Sequence, residues 1–341
     1  MDWSLLLEKS VLALVVFGIT LFIAMYSTYG ERKIAAFFQD RLGPNRAGPW
    51  GIFQPLADGG KMFFKEEFIP QNSVKWLFIL GPALAMLLAL MTSAVIPWGP
   101  DLVMDGKTIQ LQVADLDIGI LYIFGILSLG VYSIMIGGWA SNNKFSLYGA
   151  IRASSQIISY ELAMGLAVLA IILMTGSLSL RDIVDSQHGM NWNIFYQPLG
   201  FIIFMTTALA ECNRAPFDMA ECETELIGGY HTEFSSMKLG LYLFSEYINM
   251  FISSAVISIL FFGGYNFPFM DQVHSPILLT VLGTLAFFIK IFIFIFVFMW
   301  IRWTLPRFRY DQLMRLGWKG LIPLAIFNLL ITGAVMLWKY H

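Results

Sequence analysis

The residues best equipped for chemistry lie in one stretch, Glu211 to Glu233, which reads Glu-Cys-Asn-Arg-Ala-Pro-Phe-Asp-Met-Ala-Glu-Cys-Glu-Thr-Glu-Leu-Ile-Gly-Gly-Tyr-His-Thr-Glu. It holds six carboxylates, Glu211, Asp218, Glu221, Glu223, Glu225 and Glu233, in a chain of 341 residues with only 23 acids. Hydrophobic runs flank it on both sides, and an acidic patch wedged between membrane spans is costly unless something uses it. Clustered carboxylates suit two tasks. When burial and mutual repulsion spread their pKa values, such groups relay protons near neutral pH. When they converge, they hold a metal ion. Glu221, Glu223 and Glu225 alternate at every second residue, so on a helix they would not share a face, and no metal site is expected.

The composition defines what must position these groups. Hydrophobic residues make up 57% of the chain and charged residues 13%, with a mean hydropathy of +0.69. Soluble domains carry about 25% charged residues; this is an integral membrane protein. The net charge of −2 says nothing about partners, because charge is partitioned by loop, and there is no basic tail or other nucleic-acid signature. The two cysteines, Cys212 and Cys222, are too few for an iron–sulfur cluster, which takes about four ligands. The four histidines have no metal or haem spacing. Flavin, haem and iron–sulfur groups are therefore expected on other chains. The first apolar run has no small-residue cleavage site and reads as a retained helix, not a signal peptide.

A spanning helix needs about 20 apolar residues. Eight runs qualify: 8–29, 73–96, 116–140, 152–176, 195–213, 238–263, 277–302 and 318–338. The expectation is an all-α polytopic protein, one membrane domain over 1–341, with both termini on the same side. Sixteen of the 21 Lys and Arg fall in or beside the loops after spans one, three, five and seven, and four fall on the other side. The positive-inside rule places the first set in the cytoplasm and both termini outside, in the periplasm. The first inner loop, 30–72, contains a segment over 50–65 in which Trp50, Phe53, Ala57, Lys61 and Phe64 recur at three- and four-residue steps. That spacing predicts a short amphipathic helix in the membrane interface. A mere anchor does not require Asp58 and Lys61 three apart on it. The inner loop 211–237 carries the acids, and the outer connectors 97–115 and 177–197 read as plain loops.

Three ionisable residues fall inside spans: Glu161, Glu246 and Lys290. Each costs at least roughly 2.5–3.5 kcal/mol near the bilayer centre, so each faces protein or water and usually pairs. A satisfied helix–helix contact and a functional role are equally consistent with any one of them. Their number favours function, and the fifth span is also informative: its clean apolar run, Leu199 to Ala210, is twelve residues long. That covers only ~18 Å of a ~30 Å core. The helix must tilt, recruit Phe195 and Tyr196, or carry Glu211 below the membrane surface, which is tolerated only against protein or a water-filled cavity. The acidic stretch is expected to dip toward Glu161 and Glu246 as a proton path reached from the cytoplasm.

Six motifs carry a family resemblance: Gly30-Glu-Arg-Lys33, Arg41-Leu-Gly-Pro-Asn-Arg46, Gly51-Ile-Phe-Gln-Pro-Leu-Ala-Asp-Gly-Gly-Lys61, Gly138-Trp-Ala-Ser-Asn142, Ala210-Glu-Cys-Asn-Arg-Ala-Pro-Phe-Asp218 and Pro306-Arg-Phe-Arg-Tyr-Asp-Gln312. In order and over nearly the whole chain, they resemble the H subunit of bacterial NADH–quinone oxidoreductase, the subunit 1 family of respiratory complex I. The resemblance implies a multi-pass protein of the bacterial inner membrane with quinone, ubiquinone or menaquinone, as substrate. It implies a quinone chamber and entrance beneath a peripheral arm whose subunits carry flavin and iron–sulfur clusters and complete the quinone site. Small membrane subunits, antiporter-like subunits and membrane lipid are the further partners. By position, Glu161, Glu211 and Glu246 match the family's carboxylate path, and Asp218, Glu221, Glu223 and Glu225 its loop acids; Lys290 joins this coupling set. Glu31, Arg32, Asp58, Lys61, Phe217 and Arg302 match the quinone route, with Arg214 and Arg307 as structural or electrostatic partners. Cys212, Ala220 and Cys222 depart from the commoner Thr, Pro and Ala or Gly, and span three lacks the acid some relatives have. The alternatives are the homologous subunit of a proton-pumping hydrogenase, a passive membrane anchor and, less consistent with the absence of an inverted repeat, a secondary transporter.

Overall fold

A computed structural model of the chain describes residues 3–104, 107–220, 223–268, 270–273 and 275–340. Its helices are α1 (Trp3–Phe38), α2 (Gln54–Phe64), α3 (Lys75–Thr92), α4 (Gly119–Ala140), α5 (Lys144–Thr175), α6 (Leu180–Asp185) and α7 (Asn193–Tyr196). There follow α8 (Pro198–Glu211), α9 (Glu223–Leu226), α10 (Ser236–Phe262), α11 (Pro276–Thr304), α12 (Tyr310–Arg315) and α13 (Ile322–Tyr340). Among the described residues seven helical stretches are long and apolar enough to cross a membrane: α1, α3, α4, α5, α10, α11 and the rod Tyr310–Lys339. The eighth apolar helix, α8, has 14 residues, about 21 Å, and falls short of that length. The two ends of the bundle are termed inner and outer after the Lys and Arg bias.

The bundle is organised around α10, which packs against α1, α3, α8 and α11 and is 72% buried over its most apolar stretch. Around it run α3 on α4, α4 on α5, and α5 on both α8 and α13.

Several helices run past the expected ends. The first is 36 residues long, because between Trp3 and Pro44 nothing stops it; the isolated Gly30 costs only about 1 kcal/mol. Glu31, Arg32 and Lys33, expected in a loop, therefore sit on the inner turns of α1. Helix α5 begins at Lys144, not 152, because the Asn143 side chain accepts a hydrogen bond from Phe145 N at 2.9 Å, an N-cap. Trp50 lies off the amphipathic helix, in a turn at φ 54°, and α2 starts at Gln54. The outer connectors are not plain loops. Leu102–Met104 (β1) and Lys107–Ile109 (β2) form an antiparallel hairpin with Leu102 opposite Ile109, and Ser179 caps α6. Before α13 the chain passes through a π-helical turn, Leu316–Leu321. Pro323 has no N–H for the Lys319 carbonyl, and the preceding turn widens.

The acidic loop folds back into the bundle. Residues 211–220 are buried except for the half-buried Ala215, and the turn Gly229–His231 rests on α5. Gly149 makes that approach possible: a Cβ there would lie 2.6 Å from Tyr230 N and 2.8 Å from Gly229 Cα. Gly149→Ala is expected to lower stability by about 1–3 kcal/mol, read as the thermal midpoint of the purified protein. Gly165→Ala, inside the same helix where a Cβ meets open space, should raise stability by up to about 1 kcal/mol.

Candidate functional site

The inner end of α1 supplies two acid–base contacts from adjacent residues, which point about 100° apart on a helix. Arg32 turns toward α2 and pairs with Asp58 at 2.6 Å; Gln54 also donates to Asp58 at 2.9 Å. Glu31 turns into the bundle, where it pairs with Arg302 of α11 at 2.5 Å and accepts from the Tyr247 hydroxyl at 2.8 Å. Lys61 is exposed on α2 with Phe53, Ala57 and Phe64, so the predicted stripe is an outward face while Asp58 is held on α1.

From Tyr247 the polar groups continue across the bundle. The Arg214 guanidinium sits over the Tyr247 ring, 4.3 Å from its centroid, and pairs with Glu246 at 3.1 Å. Both side chains are over nine-tenths buried. Glu246 also accepts from the Tyr230 hydroxyl at 3.3 Å. A small void of about 10 Å³ bordered by Glu31, Cys212, Arg214 and Arg302 lies along this route.

Beyond Glu246 is a larger cavity of about 40 Å³ whose polar wall includes Glu211, Asn213, Tyr230, Ser245, Glu246 and Asn249. That is room for more than one water. Glu211 Oε2 is buried there with no hydrogen-bond partner among the described residues. On the far side Ser128 of α4 donates to Glu161 of α5, and Leu127, Gly130 and Ile157, neighbours of these two along their helices, line the same cavity. Glu211 and Glu246 thus share one cavity, the Ser128–Glu161 contact lies beside its lining residues, and Arg302–Glu31–Tyr247–Arg214–Glu246 leads up to it.

The remaining acids are distributed to other partners. Asp218 pairs with Arg307 at 2.7 Å, next to Phe217, which packs between the rings of Tyr160 and Phe308 at 5.4 Å from each. Glu225 pairs with Arg152 of α5 at 2.5 Å, and Glu233 accepts from Asn143 at 2.6 Å. Glu221 and Cys222 lie outside the described residues, and of Glu223 only the helical backbone is described. Among the described residues no three His, Cys, Asp or Glu side chains converge as a metal site would require.

Lys290 is not brought to the carboxylates. Its ammonium donates to the carbonyls of Phe262, Gly264 and Asn266 at 2.7, 2.8 and 2.6 Å, using all three of a lysine's donors. Phe262 is sixteen residues along α10 from Glu246, about 24 Å. Lys290 therefore closes the outer end of α10, where Gln187 and Asn193 donate to the Ile259 and Leu260 carbonyls of the same helix.

Sequence reasoning missed the neutral members: Tyr247, Tyr230, Asn213, Ser245, Asn249 and Ser128. The only signal was spacing, since Ser245, Glu246 and Asn249 recur on one face of α10.

The comparisons agree with this architecture. A sequence model of the family described as NADH dehydrogenase matches residues 11–333. The chain is 65% identical over 333 residues to the first of the NADH-quinone oxidoreductase H subunits of Cytophaga hutchinsonii, covering 97% of each chain. It is 62% identical to the NADH-quinone oxidoreductase H subunit of Flavobacterium psychrophilum (99% of each), and 49% identical to that of Leptospira biflexa (99% and 98%). It is a multi-pass membrane protein by its helices. It belongs to the family of complex I subunit 1, which includes the bacterial NADH–quinone oxidoreductase H subunits.

Replacing Lys290 with Met leaves three carbonyls without their donor, and the purified protein should lose about 1–3 kcal/mol of stability. Lys290→Arg should recover part of it. Thermal unfolding in detergent measures both, and an unchanged midpoint for Lys290→Met would contradict the capping role.

Proposed function

We propose that this chain is the membrane subunit of a proton-pumping NADH–quinone oxidoreductase that borders the quinone chamber and couples quinone reduction to proton movement. The names and coverage of its relatives support the enzyme, with quinone as substrate and the other complex I subunits as partners. Flavin and iron–sulfur groups belong to the peripheral arm in this reading. Antiporter-like and small membrane subunits continue the path in the membrane. The chain crosses eight times, α8 included, with both termini outside.

The observation that carries the proposal is the continuity of polar contacts from Arg302–Glu31 to the Glu211 cavity. A quinone enters where α1, α2 and the inner ends of α10 and α11 meet, past the exposed rings of Phe37, Trp300 and Trp303. Its head group is reduced by electrons from a neighbouring subunit, and quinol formation takes up two protons. Proton demand at that end weakens or strengthens the hold of Glu31 and Arg302 on each other. Tyr247 meets Glu31 at one edge and Arg214 across its face, so the change reaches the Arg214–Glu246 pair. When Arg214 loosens from Glu246, that carboxylate becomes a better base toward the cavity. Glu211, with an unbonded oxygen in a cavity that has room for water, then passes protons between Glu246 and Glu161. Asp218, Glu225 and the loop that carries Glu221 and Glu223 supply acceptors toward the cytoplasm. Lys61, Phe217 and Arg307 hold the chamber walls.

Glu211→Gln and Glu161→Gln keep the shape and remove the titrating oxygen. In vesicles containing the assembled complex, each is expected to cut proton uptake per quinol by at least half, measured with a pH-sensitive dye alongside NADH oxidation. Fully assembled variants with normal pumping per quinol would sink the path.

A further inference from the structure

The strongest unassigned feature lies at the other end of α1. Between α1 and α11 is an apolar cavity of about 130 Å³, bordered by Leu12, Val16, Ile19, Trp98 and Phe288. It opens into a groove of about 510 Å³ on the outer face of α11, and the two share Leu111, Thr284 and Phe288. The groove runs from Thr280 to Phe292, twelve residues or about 18 Å, close to the ~15 Å of one leaflet of hydrocarbon.

Its walls have no polar atom to offer. The Thr284 hydroxyl donates to Thr280 O at 2.8 Å, and that of Thr280 is placed on Asp101 O and Pro276 O, both at 3.0 Å. The occupant must therefore be hydrocarbon within the groove. The mouth is different. Lys9 lies on the same face of α1 as Leu12, Val16 and Ile19, at steps of three, four and three. Its ammonium donates to Gln112 O at 2.7 Å, one residue from the groove wall at Leu111. Lysine has three donors, and this contact uses one. Glu8 sits one residue further round the helix, about 100° away from this face.

We propose that this groove is a site for one membrane phospholipid, with an acyl chain lying along α11 and its phosphate on Lys9. Hydrocarbon below and a single cation at the headgroup level match an anionic amphiphile one leaflet long. Such a lipid ties the outer end of α1, which has one long-range polar side-chain contact there among the described residues, to α11. The inner end of α1 is already tied by Glu31 and Arg32.

The test uses the assembled complex in nanodiscs of phosphatidylglycerol doped with the same lipid carrying a diazirine in its acyl chain, with adducts mapped by mass spectrometry. Adducts are expected on Val15, Ile19, Thr284 or Phe288. They should fall about fivefold in Lys9→Ala, the size of one lysine–headgroup attraction, and recover in Lys9→Arg. They should also fall in Thr284→Phe, which fills the cavity. Adducts on exposed Leu330 and Val335 of α13 should not change in any variant. Three results would overturn the proposal. One is groove labelling no greater than on α13 and indifferent to Lys9. Another is no labelling, which would mean that a neighbouring subunit covers the groove. The third is labelling displaced by excess long-tailed quinone, which would give the groove to the quinone tail.

Discussion

The structure depends on one buried ion pair, Arg214 with Glu246. Removing either partner alone from such a pair leaves an uncompensated charge, at a cost of several kcal/mol. The fold therefore has to bring residue 214, on a loop, against the middle of the inner half of α10. Everything around it serves that placement. The short α8 ends early enough to bury Glu211 and Cys212, and the loop then stays inside the bundle through Ala220. Tyr230 returns to the same carboxylate from the loop's other limb. The Tyr247 ring supplies the apolar and π-facing side of the guanidinium.

The pair also divides the molecule into two kinds of interior. On its inner side, charged groups from α1, α10, α11 and the loop meet in series, with a small void among them. On the outer side Lys290, Gln187, Asn193 and Asn266 bond backbone at helix ends or turns, and Arg181 pairs with Asp101 at 2.5 Å. A fully engaged polar network rigidifies, whereas one that includes cavities and an unbonded carboxyl oxygen can change state. In the proposed coupling, charge rearranges in the inner half while the outer contacts hold α10.

Much of this was legible in the sequence, for identifiable reasons. The apolar helices follow from hydropathy, and the burial of Glu211 follows from an apolar run of only twelve residues before it. Glu161 and Glu246 stand out because charges in spans are costly. The neutral members did not stand out, since Tyr247 and Ser128 are ordinary residues until their partners are known. Tyr247 meets Glu31 across 216 positions of chain, and no local pattern encodes that. The partners of Lys290 were hidden for the same reason: the three carbonyls around it belong to residues 24 to 28 positions away. Helix ends were missed where a cap or the lack of a stop signal decided them, as at Asn143 and beyond Gly30. Nor does the sequence show that Asp218, Glu225 and Glu233 each find a partner on a separate element.

The central claim is that charge at the quinone end reaches Glu211 through Arg214. Redox-triggered infrared difference spectroscopy of the assembled complex tests it most directly, by following the protonated-carboxyl stretch that Glu211→Gln removes. Quinone reduction is expected to change this band in the unmodified complex, with the change retained in part in Arg214→Lys and abolished in Arg214→Met. A Glu211 band that responds at full size in assembled, quinone-reducing Arg214→Met complex would contradict the claim.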